Sequence, residues 1–292
     1  MKEKLLISFS GGRTSAMMTK YLLENYKDKY EMIVCFANTG KERQETLDFV
    51  DKCDKEFGFN IVWLEAEDDK RYKCTPTFKV VSFETASRNG EPFELLFSKI
   101  GLVNQNRPKC TEFLKIDPIH KYIKSLGWKK YYTAIGIRSD EPKRLNREYA
   151  KKNRFIYFAD LIHITKSDVN SFWLKQKFDL NLKSYEGNCD LCFKKGLRKL
   201  MTIVKENPQL ADWWREMENK YEYYDMNGYD PNNYHNTIFR DKMKIDDIIE
   251  ESNFPFEMAI DEKYDIDKYK QMAMWDSYLD TNGGCTESCE VY

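Results

Sequence analysis

The 292-residue chain has no apolar run approaching the ~20 residues of a membrane span. It also lacks an apolar leader: Met1-Lys2-Glu3-Lys4 passes directly into a short strand pattern. Together these absences predict a cytoplasmic protein with no membrane association. Net charge is nearly absent too, at −1 from 47 basic and 48 acidic residues. That excludes bulk attraction to nucleic acid and leaves only local basic patches. Histidine is scarce: His120, His163 and His235 form no His-x-x-x-His motif and no hydrolase triad, and each is read as structural. No internal repeat or low-complexity segment is present, which excludes solenoids and disordered tracts.

What is present is a globular composition, 41% apolar and 15% aromatic, long enough to bury a large core. Residues 4–65 alternate between strand and helix patterns. Strands are expected at Leu5–Phe9, Glu31–Phe36 and Asn60–Glu65, and helices from the first turn through Tyr26 and over Glu42–Phe57. A β-α-β-α-β run predicts a parallel sheet with right-handed crossovers and ligands at the strands' carboxyl ends. Residues 66–110 break this rhythm and read as an insertion beside the site. A helix is expected over Glu112–Leu126, a fourth strand over Lys130–Ile137 and a fifth at Phe155–Phe158. Thr165 and Asp168 cap a further helix through Trp173 and Leu174, and 194–225 reads as helical. The expectation is therefore an α/β, Rossmann-like fold with a parallel five-stranded sheet, flanking helices and a C-terminal helical extension. Its nucleotide-binding domain would span 1–200, and 201–292 would be an extension with a cysteine-containing tail packed on it.

Ser8, Ser10, Gly11, Gly12, Arg13, Thr14 and Ser15 lie between the first strand and the first helix. A helix start offers unpaired N–H groups and partial positive charge, and two glycines let backbone close on an anion. The loop is a candidate phosphate cradle, though not a Walker A loop, because the spacing and the Lys-Ser/Thr ending are absent. An ordinary tight turn with a capping hydroxyl is the alternative. Gly136, Arg138 and Arg144 follow the fourth strand, where two arginines suit phosphate or sulfate; a solvated charged loop is the alternative there. Cys189 and Cys192 form a Cys-x-x-Cys at a turn into a helix, a spacing that lets two thiolates face one metal or cluster. Cys35, in a buried strand, reads as a core residue, while Cys53 in a helix and Cys74 in the insertion are assigned no role.

Four segments occur in order: Ser10-Gly11-Gly12-Arg13-Thr14-Ser15, Asn38-Thr39-Gly40 with Glu45-Thr46, Cys110 with Leu114-Lys115 and Pro118, and Gly136-Ile137-Arg138 with Glu141 and Arg144. In this the chain resembles the phosphoadenosine phosphosulfate (PAPS) reductase family of the PP-loop, or adenine nucleotide alpha hydrolase-like, superfamily, over roughly residues 4–200. The resemblance implies a HUP-type sheet and an adenine nucleotide (PAPS, adenylylsulfate or ATP) held by the first loop, Asn38, Thr39, Gly40, Lys115, Gly136, Arg138 and Arg144. Many relatives carry Lys and Asp where this chain has Arg13 and Thr14, and Asp where it has Asn38. The missing carboxylates favour nucleotide binding over magnesium-dependent cleavage between phosphates.

The resemblance also implies a 4Fe–4S cluster, with structural zinc as the alternative, on Cys110, Cys189, Cys192 and a tail cysteine, Cys285. It further implies a reactive thiol at Cys285 or Cys289 that attacks a sulfonyl sulfur, with a thioredoxin-like reductant completing the turnover. The family's Glu-Cys-Gly-x-His ending is absent. Three functions follow: a PAPS reductase-like enzyme with thiol- or iron–sulfur-assisted sulfur chemistry, an ATP-using nucleic-acid thiolation enzyme in which Trp213 and Trp214 stack on bases, or a nucleotide-binding module with a structural metal.

Overall fold

The computed structural model describes residues 2–187, 189–232, 239–240 and 242–261. The first strand β1 (Glu3–Ser8) enters α1 (Arg13–Asn25), followed by β2 (Tyr30–Ala37), α2 (Gln44–Phe57) and β3 (Ile61–Glu67). These segments form as their patterns predict. The β1 interior from Leu5 to Ile7 is solvent-free, as a strand covered on both faces requires. Helix α2 buries Leu47, Phe49, Val50 and Cys53 on its inner side and ends at Gly58 in the left-handed region.

The insertion holds more order than its sequence suggests. Strand β4 (Thr77–Val81) pairs antiparallel with β3 along the sheet's edge, and α3 (Glu91–Ile100) follows. A π-helical turn at Glu112–Ile116 runs without a break into α4 (Asp117–Ser125), with Pro118 just after the π turn, where the widened helix accommodates a residue that has no N–H to donate. Then come β5 (Tyr132–Ile135), α5 (Arg147–Asn153), β6 (Phe155–Tyr157), a short α6 (Phe158–Leu161) and α7 (Lys166–Trp173). The Thr165–Asp168 capping box forms as expected. Sheet order is β4-β3-β2-β1-β5-β6, with every pairing parallel except β3–β4. The sheet has six strands where five were expected. The additional strand is five residues long and leaves Lys79 and Val80 side by side on the exposed part, so its Phe78, Val80 and Val81 read as a short apolar run within the insertion and give no clean alternation.

Beyond the sheet, the chain forms α8 (Leu197–Glu206), α9 (Leu210–Tyr221), a two-stranded hairpin of β7 (Tyr224–Asp225) and β8 (Gly228–Tyr229), and α10 (Ile245–Asn253). The helical stretch expected over 194–225 is thus two helices, broken at Asn207-Pro208. These helices share one apolar core with α3. It joins Phe93, Leu96 and Phe97 to Leu200, Val204, Trp214, Met217 and Ile248, with Cys189 and Cys192 at its edge. None of the described helices is long and apolar enough to cross a membrane.

Gly90 shows how tightly α9 docks. Its φ is +89°, and a Cβ there would lie 2.4 Å from the Trp213 ring. Gly90→Ala should therefore cost about 2 kcal/mol or more in urea unfolding, through the left-handed backbone and the displaced ring. A second tie holds α10: Glu218 Oε2 accepts the Ile245 N–H at 3.0 Å. Burial pushes the Glu218 carboxyl up to about 7 from 4.5. Between these values the unfolded chain binds fewer protons than the folded one, so stability falls as pH rises through that window. The expected fall is on the order of 3 kcal/mol. Glu218→Gln should flatten it in urea titrations run from pH 4.5 to 7.

Candidate functional site

The strand order reverses between β1 and β5, so their carboxyl ends open a crevice where α/β sheets bind ligands. The Ser8–Gly12 loop forms one wall. Gly11 has φ +77°, and a Cβ there would meet Thr46 Cγ2 at 2.8 Å and Phe36 Cε2 at 3.1 Å. Only glycine lets the loop pass this close to α2 and β2. Ser15 closes the turn: its hydroxyl lies 2.9 Å from Ser10 Oγ and donates to the Gly12 carbonyl at 3.0 Å. No side chain caps α1, so its first amides face the crevice without a capping oxygen.

Arg13 is turned into the protein. Its Nη1 donates to Asn170 Oδ1 at 2.8 Å, and its Nε lies 3.0 Å from Asp179 Oδ1. Trp173 Nε1 donates to the Arg13 carbonyl at 3.0 Å. Its guanidinium therefore clamps α7 and the following segment onto α1. Thr14 is buried beside it in the first helical turn.

Gly136, Arg138 and Arg144 form the opposite wall. Arg138 Nε donates to Asp140 Oδ1 at 2.8 Å, and Arg144 Nη1 to Glu141 Oε1 at 2.5 Å. Burial raises the Glu141 carboxyl, but the two arginine charges and the Arg138 N–H outweigh it, so its pKa falls below the usual value. The arginines are thereby preorganised on one short loop.

On the other side of β1, Asn38, Thr39 and Gly40 leave β2. Asn38 is fully buried; its amide donates to Glu65 Oε1 at 2.7 Å and to the Ser87 carbonyl at 2.9 Å. A carboxylate at 38 would face the Glu65 carboxylate. The Thr39 N–H and hydroxyl both donate to Glu42 Oε2, at 2.8 and 2.7 Å. Thr39 Oγ1 also lies 3.6 Å from Cys189 Sγ. The Thr39 hydroxyl thus lies between the Glu42 carboxylate and the Cys189 sulfur. Burial, with the Glu42 charge acting the same way, pushes that thiol well above its ordinary value; Lys115 and the Thr39 hydroxyl oppose the rise.

One cavity gathers the cysteines. Cys110, Cys189 and Cys192 line it together with Thr39, Lys115 and Trp214. The Cys-x-x-Cys loop is held there by Asp190, whose carboxylate takes Lys41 Nζ at 2.9 Å and Trp214 Nε1 at 2.8 Å. Lys195 donates to the Gly187 and Cys189 carbonyls, and Arg240 to those of Phe193 and Lys195. Thiols of this kind suit a thiophilic metal or cluster. Among the described residues, however, no group of three or more His, Cys, Asp or Glu is drawn together as a ligand set. Cys285 and Cys289 lie outside the described residues. Cys35 and Cys53 are core residues, and burial raises both thiols far above their ordinary range.

Trp214 is buried, and Trp213, half-buried, packs edge-on against it and against Phe93. Glu42, Glu65, Asp190 and Lys41 escaped the sequence reading. Lys41 and Glu42 directly follow Asn38-Thr39-Gly40, which is the one local signal that points to them. Asp190→Asn should leave buried Lys41 without its counter-charge, costing about 3 kcal/mol. Cys189 and Cys192 should then react faster with a disulfide reagent than in the unaltered protein.

The family model for the phosphoadenosine phosphosulfate reductase domain matches residues 4–182. Along 98% of its length the chain is similar to an uncharacterized nin region protein of Escherichia phage lambda, at 28% identity and covering 94% of that protein. Two uncharacterized proteins of Methanocaldococcus jannaschii are also similar. One is 25% identical over 76% of this chain and 42% of its own length, the other 30% identical over 51% and 29%. The chain thus spans less than half of each archaeal relative.

Proposed function

The chain belongs to the phosphoadenosine phosphosulfate reductase family, and from that premise we propose that it is an enzyme that holds an adenine sulfonucleotide in the β1–β5 crevice and carries out sulfur chemistry at the adjoining cysteine cavity. The observation that supports this most directly is the contact of Thr39 with Cys189. It joins the Asn38–Gly40 loop after β2 to the Cys-x-x-Cys at 3.6 Å. The α1 amides and the Gly11–Gly12 turn would hold phosphate, with Arg138 and Arg144 opposite. The sulfonyl end would then extend toward Thr39 and Lys115, which line the cavity.

The thiolate of Cys285 or Cys289 would attack the sulfonyl sulfur. The S–O bond to the nucleotide phosphate breaks, the nucleoside phosphate leaves with that electron pair, and the enzyme carries a thiosulfonate. A thioredoxin-like dithiol then reduces it, releasing sulfite and becoming a disulfide. Cys110, Cys189 and Cys192, with Cys285, would hold a 4Fe–4S cluster or zinc, which would fix the cysteine segments relative to one another, while Lys115 would supply positive charge beside the sulfonate. If Cys285 is a ligand, Cys289 is the nucleophile.

Sulfite release from adenylylsulfate and its 3′-phosphorylated form, with a dithiol reductant, tests the reading. Cys285→Ser or Cys289→Ser should lower turnover by about 100-fold or more while leaving nucleotide affinity nearly unchanged. Turnover that survives both substitutions removes the thiol mechanism, and failure to bind any adenine nucleotide removes the whole reading. Iron, sulfide and zinc analysis of anaerobically purified protein decides the metal.

A further inference from the structure

Glu42 lies behind the site and belongs to none of the segments that carry the family resemblance. Its side chain is only 3% exposed. Oε2 is used twice, by the Thr39 N–H and hydroxyl. Oε1 has no hydrogen-bond partner and lies 3.9 Å from Lys115 Nζ. Thr39 and Lys115 both line the cysteine cavity. A buried carboxylate therefore stands beside a cation that lines the cavity.

We infer that Glu42 is a specificity-determining residue of this site, a fixed counter-charge that offsets Lys115 and so keeps the cavity from capturing small free oxyanions. A lysine in a water-poor cavity is by itself a good trap for sulfate or phosphate. Such ions would compete with any nucleotide whose sulfonyl group must occupy the same place. With Glu42 at 3.9 Å, the field of Lys115 at the cavity is that of a pair. A free dianion then gains little, whereas a nucleotide still gains from the adenosine and phosphate contacts in the neighbouring crevice. Lys115 lines the cavity while its ammonium stands within ion-pair distance of Oε1. Glu42 also orients Thr39, so one carboxylate sets both the charge and the geometry of the wall facing Cys189. The inference rests on the nucleotide reading above for the identity of the competing ligand.

The test is Glu42→Gln, which keeps the shape and an oxygen for the Thr39 N–H and removes the charge. Inorganic sulfate is the probe, in calorimetry at low ionic strength, and adenosine is the uncharged control. Sulfate affinity should rise about tenfold over the unaltered protein, and adenosine affinity should stay within about twofold. The gain should vanish in Glu42→Gln combined with Lys115→Gln, and it should shrink with added salt. Sulfate affinity that is unchanged or lower in a folded Glu42→Gln protein overturns the inference, as does a parallel change for adenosine, which a merely structural role would produce. If Glu42→Gln alone does not fold, the doubly substituted protein must fold, because both members of the buried pair are then neutral. Failure of both variants to fold also overturns it. Absence of adenine-nucleotide binding in the unaltered protein instead removes the nucleotide reading, and leaves the sulfate comparison to be judged by itself.

Discussion

The buried carboxylate of Asp190 is the constraint on which the site depends. It sits between the two cysteines of the Cys-x-x-Cys and is 6% exposed. It takes Lys41 from the loop after β2 and Trp214 from α9, while its own N–H donates to the Lys41 carbonyl at 2.8 Å. Three segments far apart in sequence are thus fixed to one residue. In a low-dielectric surrounding, a charge so placed tolerates no partner loss. The cysteine loop is accordingly part of the fold's core and does not hang on its surface.

From this follows the arrangement of two neighbouring zones on one sheet edge. The β1–β5 switch point provides backbone amides, a glycine turn and a preorganised arginine loop, all suited to phosphate. The β2 side provides thiols, a lysine and a hydroxyl, suited to sulfur. Asn38–Gly40 joins them. The departures at Arg13 and Asn38 have local physical reasons. Arg13 is occupied with Asp179 and Asn170. Asn38 is an amide against the Glu65 carboxylate, where a second carboxylate would be repelled. Carboxylates have not left the neighbourhood: Glu42 and Glu65 supply them from positions outside the motif.

The central βα alternation was legible because its strands are continuous apolar runs and its helices have one apolar side. Gly11 was legible as a turn residue, and the Thr165–Asp168 cap as a helix start. The edge strand β4 was not, since Thr77–Val81 is short, exposes Val80 next to Lys79 without alternation, and takes its identity from pairing with β3. Trp213 and Trp214 offered a surface for stacking on bases, although an aromatic helix face is more often core. Burial against Phe93 and the Asp190 hydrogen bond place Trp214 in the core, and Trp213 packs half-buried at its margin.

The sequence by itself determined the sheet, the glycine turn, the family and the residue types available for phosphate and sulfur, because these are written in local periodicity and in short contiguous motifs. Only the tertiary structure decided which side chains serve which purpose. That Cys110 shares a cavity with Cys189 and Cys192, that Arg13 clamps α7, and that Glu42 stands beside Lys115 all depend on contacts between residues tens to more than a hundred positions apart. Burial and charge pairing across such distances have no local signature.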